Sequence, residues 1–306
     1  MSFEAYFCVS QLGFIHFWSA TRSEPPSIKW LADHVGHERI FGLRGVLPAD
    51  TLLPYRIRDM RHLDALYPDL YLDYVSAIWP SVRSDIYTSL AESWTSFDHP
   101  LMDLAAVRYV VVPRSDVEKI SIRPEKYTVA YEDNDVVVYL NRDALARARI
   151  VHAAKQVSSG STAQMLAATE NGGKRAVYLE SAQSVPNLSP CQSSADEVAY
   201  ELDDPDEVQL KLSTTCPGYF FLTDLYYPGW QASIDGKPSE IYRANFAFRA
   251  IKIEPGQHSV RFSYQPLTMS IGFPLSAVTC ICVIVYIIVC GLVGIPRAQT
   301  KAAIET

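Results

Sequence analysis

The sequence predicts an α+β protein that is mainly β: a small α/β unit, then a β-sandwich or jelly-roll-like domain, then one C-terminal transmembrane helix. In several short segments after residue 200, apolar residues alternate with polar ones, as in half-buried strands. Asp235-Gly236 and Pro255-Gly256 mark tight turns between these segments. No charged residue occurs between Arg261 and Arg297, which indicates a membrane span.

These patterns divide the chain into five parts. The predicted parts are an N-terminal apolar segment with a linker (1–26), an α/β extracytoplasmic unit (27–148), a β-sandwich domain (149–266), a transmembrane helix (267–296) and a cytoplasmic tail (297–306). The sidedness of these parts comes from the family resemblance given below.

Composition excludes one class of function. The 306 residues are 48% hydrophobic, too apolar for a disordered chain, and the formal net charge is −7. A chain with 34 acidic and 27 basic residues has no positive field to attract a polyanion, so nucleic acid is not an expected partner. The scattered histidines and cysteines show no metal-ligand spacing, and no phosphate loop or nucleophile elbow is present, so no cofactor or metal is predicted.

The first part of the chain predicts short helices and strands. An apolar stretch at 5–20 is too short for a full span and is preceded by Glu4, so it is either the end of an upstream membrane helix or an amphipathic segment, and no cleavable signal peptide is expected. Ser27 is the expected N-terminal cap of a helix that ends at Gly36. Further helices are predicted at 67–79 and near 82–95, and strands at 39–43, 107–112, 127–131 and 136–140.

The second part predicts mostly strands. A strand at 150–153 and a short helix at 163–169 come before a long β region, in which alternation is clearest at 208–212, 230–234 and 260–264. The apolar phase changes between Phe248 and Ile251, which predicts a bulge.

The uncharged stretch at 271–295 is long enough to cross a bilayer as a helix. The alternative, a buried core helix, would rarely run this far without a charge. Arg249, Lys252 and Arg261 flank one end and Arg297 and Lys301 the other, so the positive-inside count does not decide the orientation.

Two groups of residues are candidates for a site. Arg58, Asp59, Arg61, His62 and Asp64 form the densest polar cluster and could bind an anion or serve acid–base chemistry, although a solvated, internally paired loop is the simpler interpretation.

The second group is aromatic. It offers stacking faces and polar groups to a carbohydrate or a partner, but aromatic residues in a sandwich more often fill the core. Its members are Asp224, Tyr226, Tyr227, Trp230, Tyr242 and Asn245.

The cysteines leave one pair in the β domain. Cys280, Cys282 and Cys290 lie in the predicted span, so only Cys191 and Cys216 could form a disulfide there. Spacing alone does not show proximity, and two free buried thiols are the favoured interpretation.

Three ordered motifs carry a family resemblance: LTDLYYPGWQASIDGK at 222–237, YRANFAFR at 242–249 and PGQHSVRFSY at 255–264, followed by a hydrophobic helix. Together they resemble the C-terminal end of the bacterial YfhO family of membrane proteins. Weaker likenesses at 45–48, 55–61 and 99–110 extend the resemblance over about residues 25–295.

The resemblance implies a role in the cell envelope. Such proteins are similar to multi-span glycosyltransferases that use lipid-linked sugars and decorate envelope polymers such as teichoic acids. Their acidic residues thought to act on the polyprenyl-phosphate sugar lie in early extracytoplasmic loops, which this sequence lacks, so no catalytic residue carries over. The likeness places the chain in the plasma membrane, with 27–266 outside and 297–306 inside.

We therefore expect a non-catalytic, membrane-anchored extracytoplasmic module of a YfhO-like protein. Its expected partners are the lipid bilayer, the polytopic membrane part of such a protein, and an envelope glycan or polyprenyl-linked sugar. The alternatives are a stand-alone tail-anchored interaction protein in the cytoplasm, and a surface carbohydrate-binding module.

Overall fold

The fold consists of three β-sheets, four α-helices and a helical turn at 167–169 in the part of the chain that the computed structural model describes, namely residues 25–48, 50–61, 67–83, 96–157, 167–169, 173–180, 188, 191 and 195–293. Most of the N-terminal segment, most of the helix expected at 82–95 and the C-terminal tail lie outside these residues. The helices are α1 (Pro26–His34), α2 (Asp69–Ile78), α3 (Pro100–Leu104) and α4 (Leu267–Val293).

The first sheet belongs to the N-terminal half. Its strand order is β2-β1-β3-β5-β4, with β1 parallel to β2 and β3, and the other pairs antiparallel. Its strands are β1 (Arg39–Gly42), β2 (Arg58–Asp59), β3 (Val107–Pro113), β4 (Tyr127–Glu132) and β5 (Val136–Asn141). Helix α1 covers one face, where Leu31 packs with Ile40 and Val138.

The other two sheets form the predicted sandwich. The second sheet has the order β6-β11-β15-β14-β8-β7, and the third, wholly antiparallel, has the order β13-β12-β16-β10-β9. The strands are β6 (Ala148–Val151), β7 (Ala154–Val157), β8 (Val177–Glu180), β9 (Glu197–Asp203), β10 (Glu207–Thr214), β11 (Gly218–Leu225), β12 (Trp230–Ile234), β13 (Lys237–Ser239), β14 (Tyr242–Ala244), β15 (Phe248–Ile253) and β16 (Gly256–Tyr264).

The second sheet is the central layer because both of its faces are buried. On β11, Phe220 and Leu222 pack against the third sheet, whereas Tyr219 and Phe221 pack in a cluster with residues of the first half such as Phe41. This explains why β11 reads as a continuous apolar run rather than as an alternation.

One local expectation is wrong. Ser27 is not the cap of α1: the helix begins at Pro26 after Pro25, and no side chain caps it. Proline at the first position supplies the helical φ angle and lacks an N–H that would need a partner, so a capping hydroxyl is dispensable.

The change of phase between Phe248 and Ile251 lies within β15, where Phe248 and Ile251 pack on opposite buried faces of the central sheet. A register shift is present at this point, but it lies in the partner strand β11, between Leu222 and Leu225, opposite Phe248 and Arg249. Asn245 and Phe246 both have positive φ angles and connect β14 to β15 as a tight hairpin. The turn at Asp235-Gly236 matches its prediction, since both residues have the positive φ angles that a two-residue hairpin requires.

Helix α4 follows β16 after two residues and carries its apolar side chains on the outside. Residues Leu267–Gly291 have a mean hydropathy of 2.6, and none of this window is buried. Apolar side chains that cover every side of an unburied helix require a nonaqueous environment, so α4 agrees with the predicted membrane span.

Candidate functional site

Asp224, near the end of β11, lies among three arginines from distant parts of the chain. Arg147 donates hydrogen bonds to both carboxylate oxygens, over 2.8 Å from Nε and 2.7 Å from Nη2. Arg39 and Arg249 each donate one more, over 3.0 and 3.1 Å. Both oxygens of the Asp224 carboxylate thus accept hydrogen bonds from arginines of the chain itself, which is typical of a carboxylate that stabilises the fold.

Asp203, at the end of β9, extends this arrangement. Arg147 Nη1 lies 3.0 and 2.9 Å from its two oxygens, and Arg58 Nη2 lies 2.6 Å from Oδ1. His37 Nδ1 is 2.6 Å from the other oxygen, and its ring stacks on Tyr200 with centroids 3.7 Å apart. The term arginine network is used below for Arg39, Arg58, Arg147, Arg249, Asp203 and Asp224.

The arginine network joins all three sheets and sets the ionisation of its members. Burial alone would raise the pKa of Asp224, but the attraction of Arg147 and its neighbours outweighs burial and lowers the pKa far below the usual range. Burial lowers the pKa of Arg39, and the nearby Arg147 and Arg58 add to this effect. Four guanidinium groups share two carboxylates, so each acid is the common partner of several strands.

Sequence reasoning missed the arginine network because its partners are far apart, up to 185 residues in the case of Arg39 and Asp224. One local signal was available. Arg249 stands between Phe248 and Ala250 in a strand whose other positions are apolar or half-buried. A charge at such a position requires a buried counter-charge.

Trp230, the first residue of β12, is held by its neighbours. The guanidinium carbon of Arg249 lies 3.8 Å from the centre of the Trp230 ring, and the ring of Tyr264 lies 5.4 Å away. The indole is therefore half-buried, with a cation packed against it and part of its surface left accessible.

An open groove of about 560 Å³ runs along the outer face of the third sheet beside Trp230. Tyr226, Tyr227 and Trp230 form its wall at one end. Its polar lining comes from outward-facing residues of β12 and β16 and from the following segment, namely Gln231, Ser233, Arg261, Ser263 and Gln265. Aromatic surface next to amides and hydroxyls is a composition suited to polar organic ligands.

Three members of the aromatic group do not line this groove: Asp224, which belongs to the arginine network, Tyr242 and Asn245. Tyr242 packs edge-on against Tyr219, with centroids 5.8 Å apart, and burial together with Glu240 raises its pKa to about 12. Asn245 is buried in the hairpin turn, where its Oδ1 accepts a hydrogen bond from Tyr178 N and its own N–H donates to Tyr178 O, both over 2.8 Å. Asn245 thus fastens β14 to β8.

The predicted polar cluster is divided by the fold. Arg58 belongs to the arginine network, whereas Asp59 and Arg61 form a buried ion pair at 2.6 Å, not the solvated loop expected. Arg61 also donates to the carbonyl oxygen of Val46 over 3.1 Å, so this pair holds a turn in place. His62 and Asp64 lie outside the described residues.

The two cysteines of the β region are joined by a disulfide, Cys191–Cys216, with their Cα atoms 5.8 Å apart. The favoured expectation of two free thiols is therefore wrong. Within the described segments, no group of three or more His, Cys, Asp or Glu side chains is arranged to hold a metal ion.

Comparison with known proteins gives one match. Residues 204–276 match the family model described as bacterial membrane protein YfhO. The match begins beside Asp203, covers β10 to β16 and continues into the first turns of α4. No curated protein and no solved structure has significant similarity to the chain.

Proposed function

Because residues 204–276 match the family model of bacterial membrane protein YfhO, we propose that the chain is the C-terminal region of a YfhO-like protein, a membrane-anchored extracytoplasmic module that takes part in glycosylating cell-envelope polymers. The module has no catalytic role of its own in this proposal. One observation carries it: the family match runs from the third sheet directly into α4, so the matched region is the one that joins a folded domain to a membrane helix.

The Cys191–Cys216 disulfide supports an extracytoplasmic position for the sheets. Disulfides persist in oxidising compartments and are rare in the cytosol. The bridge thus weighs against the alternative of a tail-anchored protein with its bulk in the cytoplasm.

Sidedness can be tested in spheroplasts with the full chain carrying a tag after Thr306. External protease should leave a small tagged membrane fragment, while a cytoplasmic marker protein stays intact. A full-length tagged chain that is cut only after lysis would contradict the extracytoplasmic position.

The glycosylation role needs its own test. We expect cells without the gene to have less sugar attached to their envelope polymers, measured by hydrolysis and chromatography, and the full chain to restore it. A sugar content that does not change on removal of the gene would refute this role even if the topology were correct.

A second candidate function is carbohydrate binding in the groove beside Trp230. The observation that favours it is the combination of three accessible aromatic side chains with Gln231, Ser233 and Gln265 along one open surface. Such binding would bring an acceptor glycan to the membrane surface.

Two variants separate binding from folding in a titration with envelope glycans. Gln231 is exposed, so Gln231→Ala should weaken binding while the unfolding temperature stays the same. Trp230→Ala should weaken binding and also destabilise the fold, because the indole packs against Arg249 and Tyr264. Unchanged affinity in both variants with the fold intact would exclude the groove.

A further inference from the structure

The loop at 226–230 is packed directly on the junction between β16 and α4. The N–H of Gln265 donates to the carbonyl oxygen of Gly229 over 2.7 Å. Gly229 has a φ angle of +104°, and a Cβ atom there would lie 2.9 Å from the Tyr264 ring and 3.1 Å from Pro266 Cα. These contacts therefore fix the position of the loop relative to the first turn of α4.

Three aromatic rings meet at this junction. The Tyr264 ring lies 6.4 Å from that of Tyr227 and 5.4 Å from that of Trp230. Tyr227 is the outermost, with 46% of its surface exposed. Rings with an apolar body and a polar tip concentrate at the boundary between bilayer and water.

A second exposed apolar side chain belongs to the same end of the molecule. Leu53 is 65% exposed and lies one helical turn before Arg56, which pairs with Asp204 over 3.4 Å. Asp204 lies in the β9–β10 turn, and in the same turn the Asp206 carbonyl accepts a hydrogen bond from the Tyr264 N–H over 2.8 Å. Outside α4, the described residues expose three large apolar side chains, and two of them, Leu53 and Tyr227, are thus connected to the start of α4.

The length of α4 indicates how close the junction between β16 and α4 lies to the bilayer. Its 27 residues span about 40 Å at 1.5 Å per residue, whereas a bilayer core is about 30 Å thick. If α4 is centred on the bilayer core and runs upright, the excess of about 10 Å leaves about 5 Å at each end, so its first turn lies within the headgroup layer. The loop that Gln265 holds, only two residues before α4, then lies at the headgroup surface.

We propose that this end of the molecule rests on the bilayer, with Tyr227 and Leu53 in the headgroup layer of the leaflet where α4 begins. The lipid surface is the occupant because the helix that enters it starts within the same set of contacts. This second attachment gives the sheets one orientation relative to the membrane, whereas a flexible tether would leave them free to turn.

The contact is apolar and aromatic in character. Beside it, Arg56 and Asp204 form an ion pair and Asp206 adds one negative charge, so these three groups offer no excess positive charge to attract anionic lipids. The contact of Tyr227 and Leu53 with the bilayer should therefore form on phosphatidylcholine alone and persist at high salt.

Photocrosslinking in the full chain tests the proposal. Benzoylphenylalanine is placed singly at position 227 or 53, and the protein is reconstituted in phosphatidylcholine vesicles. Position 286 in α4, where Tyr286 is 68% exposed, serves as the positive control. Position 237 is the negative control, because Lys237 is exposed and lies beside Ile234, at the end of β12 away from the junction. That end of β12 is roughly 13 Å from Trp230, at about 3.3 Å per residue.

The expected result is lipid adducts at 227 and 53, at levels several-fold above that at 237 and unchanged by high salt. Adducts at 286 without adducts at 227 and 53 would overturn the proposal and leave the membrane anchor standing. An absence of lipid adducts at all four positions, including 286, would instead refute both the membrane anchor and the surface contact of Tyr227 and Leu53 that depends on it.

Discussion

The guanidinium carbon of Arg249 lies 3.8 Å from the centre of the Trp230 ring, and the same guanidinium donates a hydrogen bond to Asp224. The aromatic wall of the groove is therefore joined to the arginine network by one side chain. Because that network reaches all three sheets, the position of Trp230 depends on the packing of the whole molecule. Asp224 is adjacent to the aromatic motif in sequence and acts on it through Arg249.

Replacing Asp224 with asparagine should be strongly destabilising. The substitution leaves Arg39, Arg147 and Arg249 without their shared carboxylate, and breaking such a buried arrangement costs about 3–5 kcal/mol. Denaturation of the full chain in detergent, followed by tryptophan fluorescence, measures the free energy of unfolding.

Asp204→Asn is the matched control, since it makes the same chemical change at an ion pair whose arginine is 82% exposed. We expect a loss within about 1 kcal/mol. Similar losses in the two variants would contradict a structural role for the arginine network.

The sequence predicts the local features of the third sheet well, because they arise from neighbouring residues. Alternation fixes which side chains of β12 and β16 face inward, and Asp235-Gly236 fixes the hairpin turn between β12 and β13. The contacts of Asp224 could not be predicted in this way. They depend on Arg39 and Arg147, which approach only when separate sheets pack together.

Gly229→Ala should disturb the junction between the sheets and α4. The added Cβ would meet the Tyr264 ring and Pro266, and φ of +104° is strained for alanine, so we expect a loss of about 2–3 kcal/mol. Gly236→Ala is the matched control: its φ is +77°, but a Cβ there meets nothing within 4 Å, and the expected loss is about 1 kcal/mol. Thermal unfolding of both variants decides the point, and equal losses would mean that the close packing at Gly229 is unimportant.

His152 should make stability depend on pH. Burial alone would lower its pKa, but hydrogen bonds to the Pro217 carbonyl and the Asp196 carboxylate outweigh burial and raise the pKa above its usual 6.5. The protonated ring thus stabilises the folded state fully below pH 6.5, and this contribution disappears as pH rises through the raised pKa.

A comparison of wild type with His152→Gln across this range measures the effect. The stability advantage of wild type should be largest at acidic pH and shrink as pH rises past neutrality. An advantage that stays constant, or grows with pH, would show that the charged form of His152 is not favoured by folding.

The difference between the expected and observed states of Cys191 and Cys216 has a physical reason. Their separation of 25 residues says nothing about proximity until β10 pairs with β9, which brings the segment before β9 beside the end of β10. Only the strand register reveals that the two cysteines meet.

Reduction of this disulfide should destabilise the protein. A cross-link that closes a loop of this length removes chain entropy from the unfolded state worth about 3 kcal/mol, so wild type should unfold at a lower temperature in dithiothreitol. The double variant Cys191→Ser and Cys216→Ser should unfold at that lower temperature with or without reductant, which controls for effects of dithiothreitol elsewhere.

Thiol labelling of denatured protein from freshly prepared membranes measures the redox state of the two cysteines in the cell. Cys191 and Cys216 should become reactive only after reduction. Labelling without reduction would mean that the sheets reside in a reducing compartment, and it would contradict the extracytoplasmic position as well as the stabilising bridge.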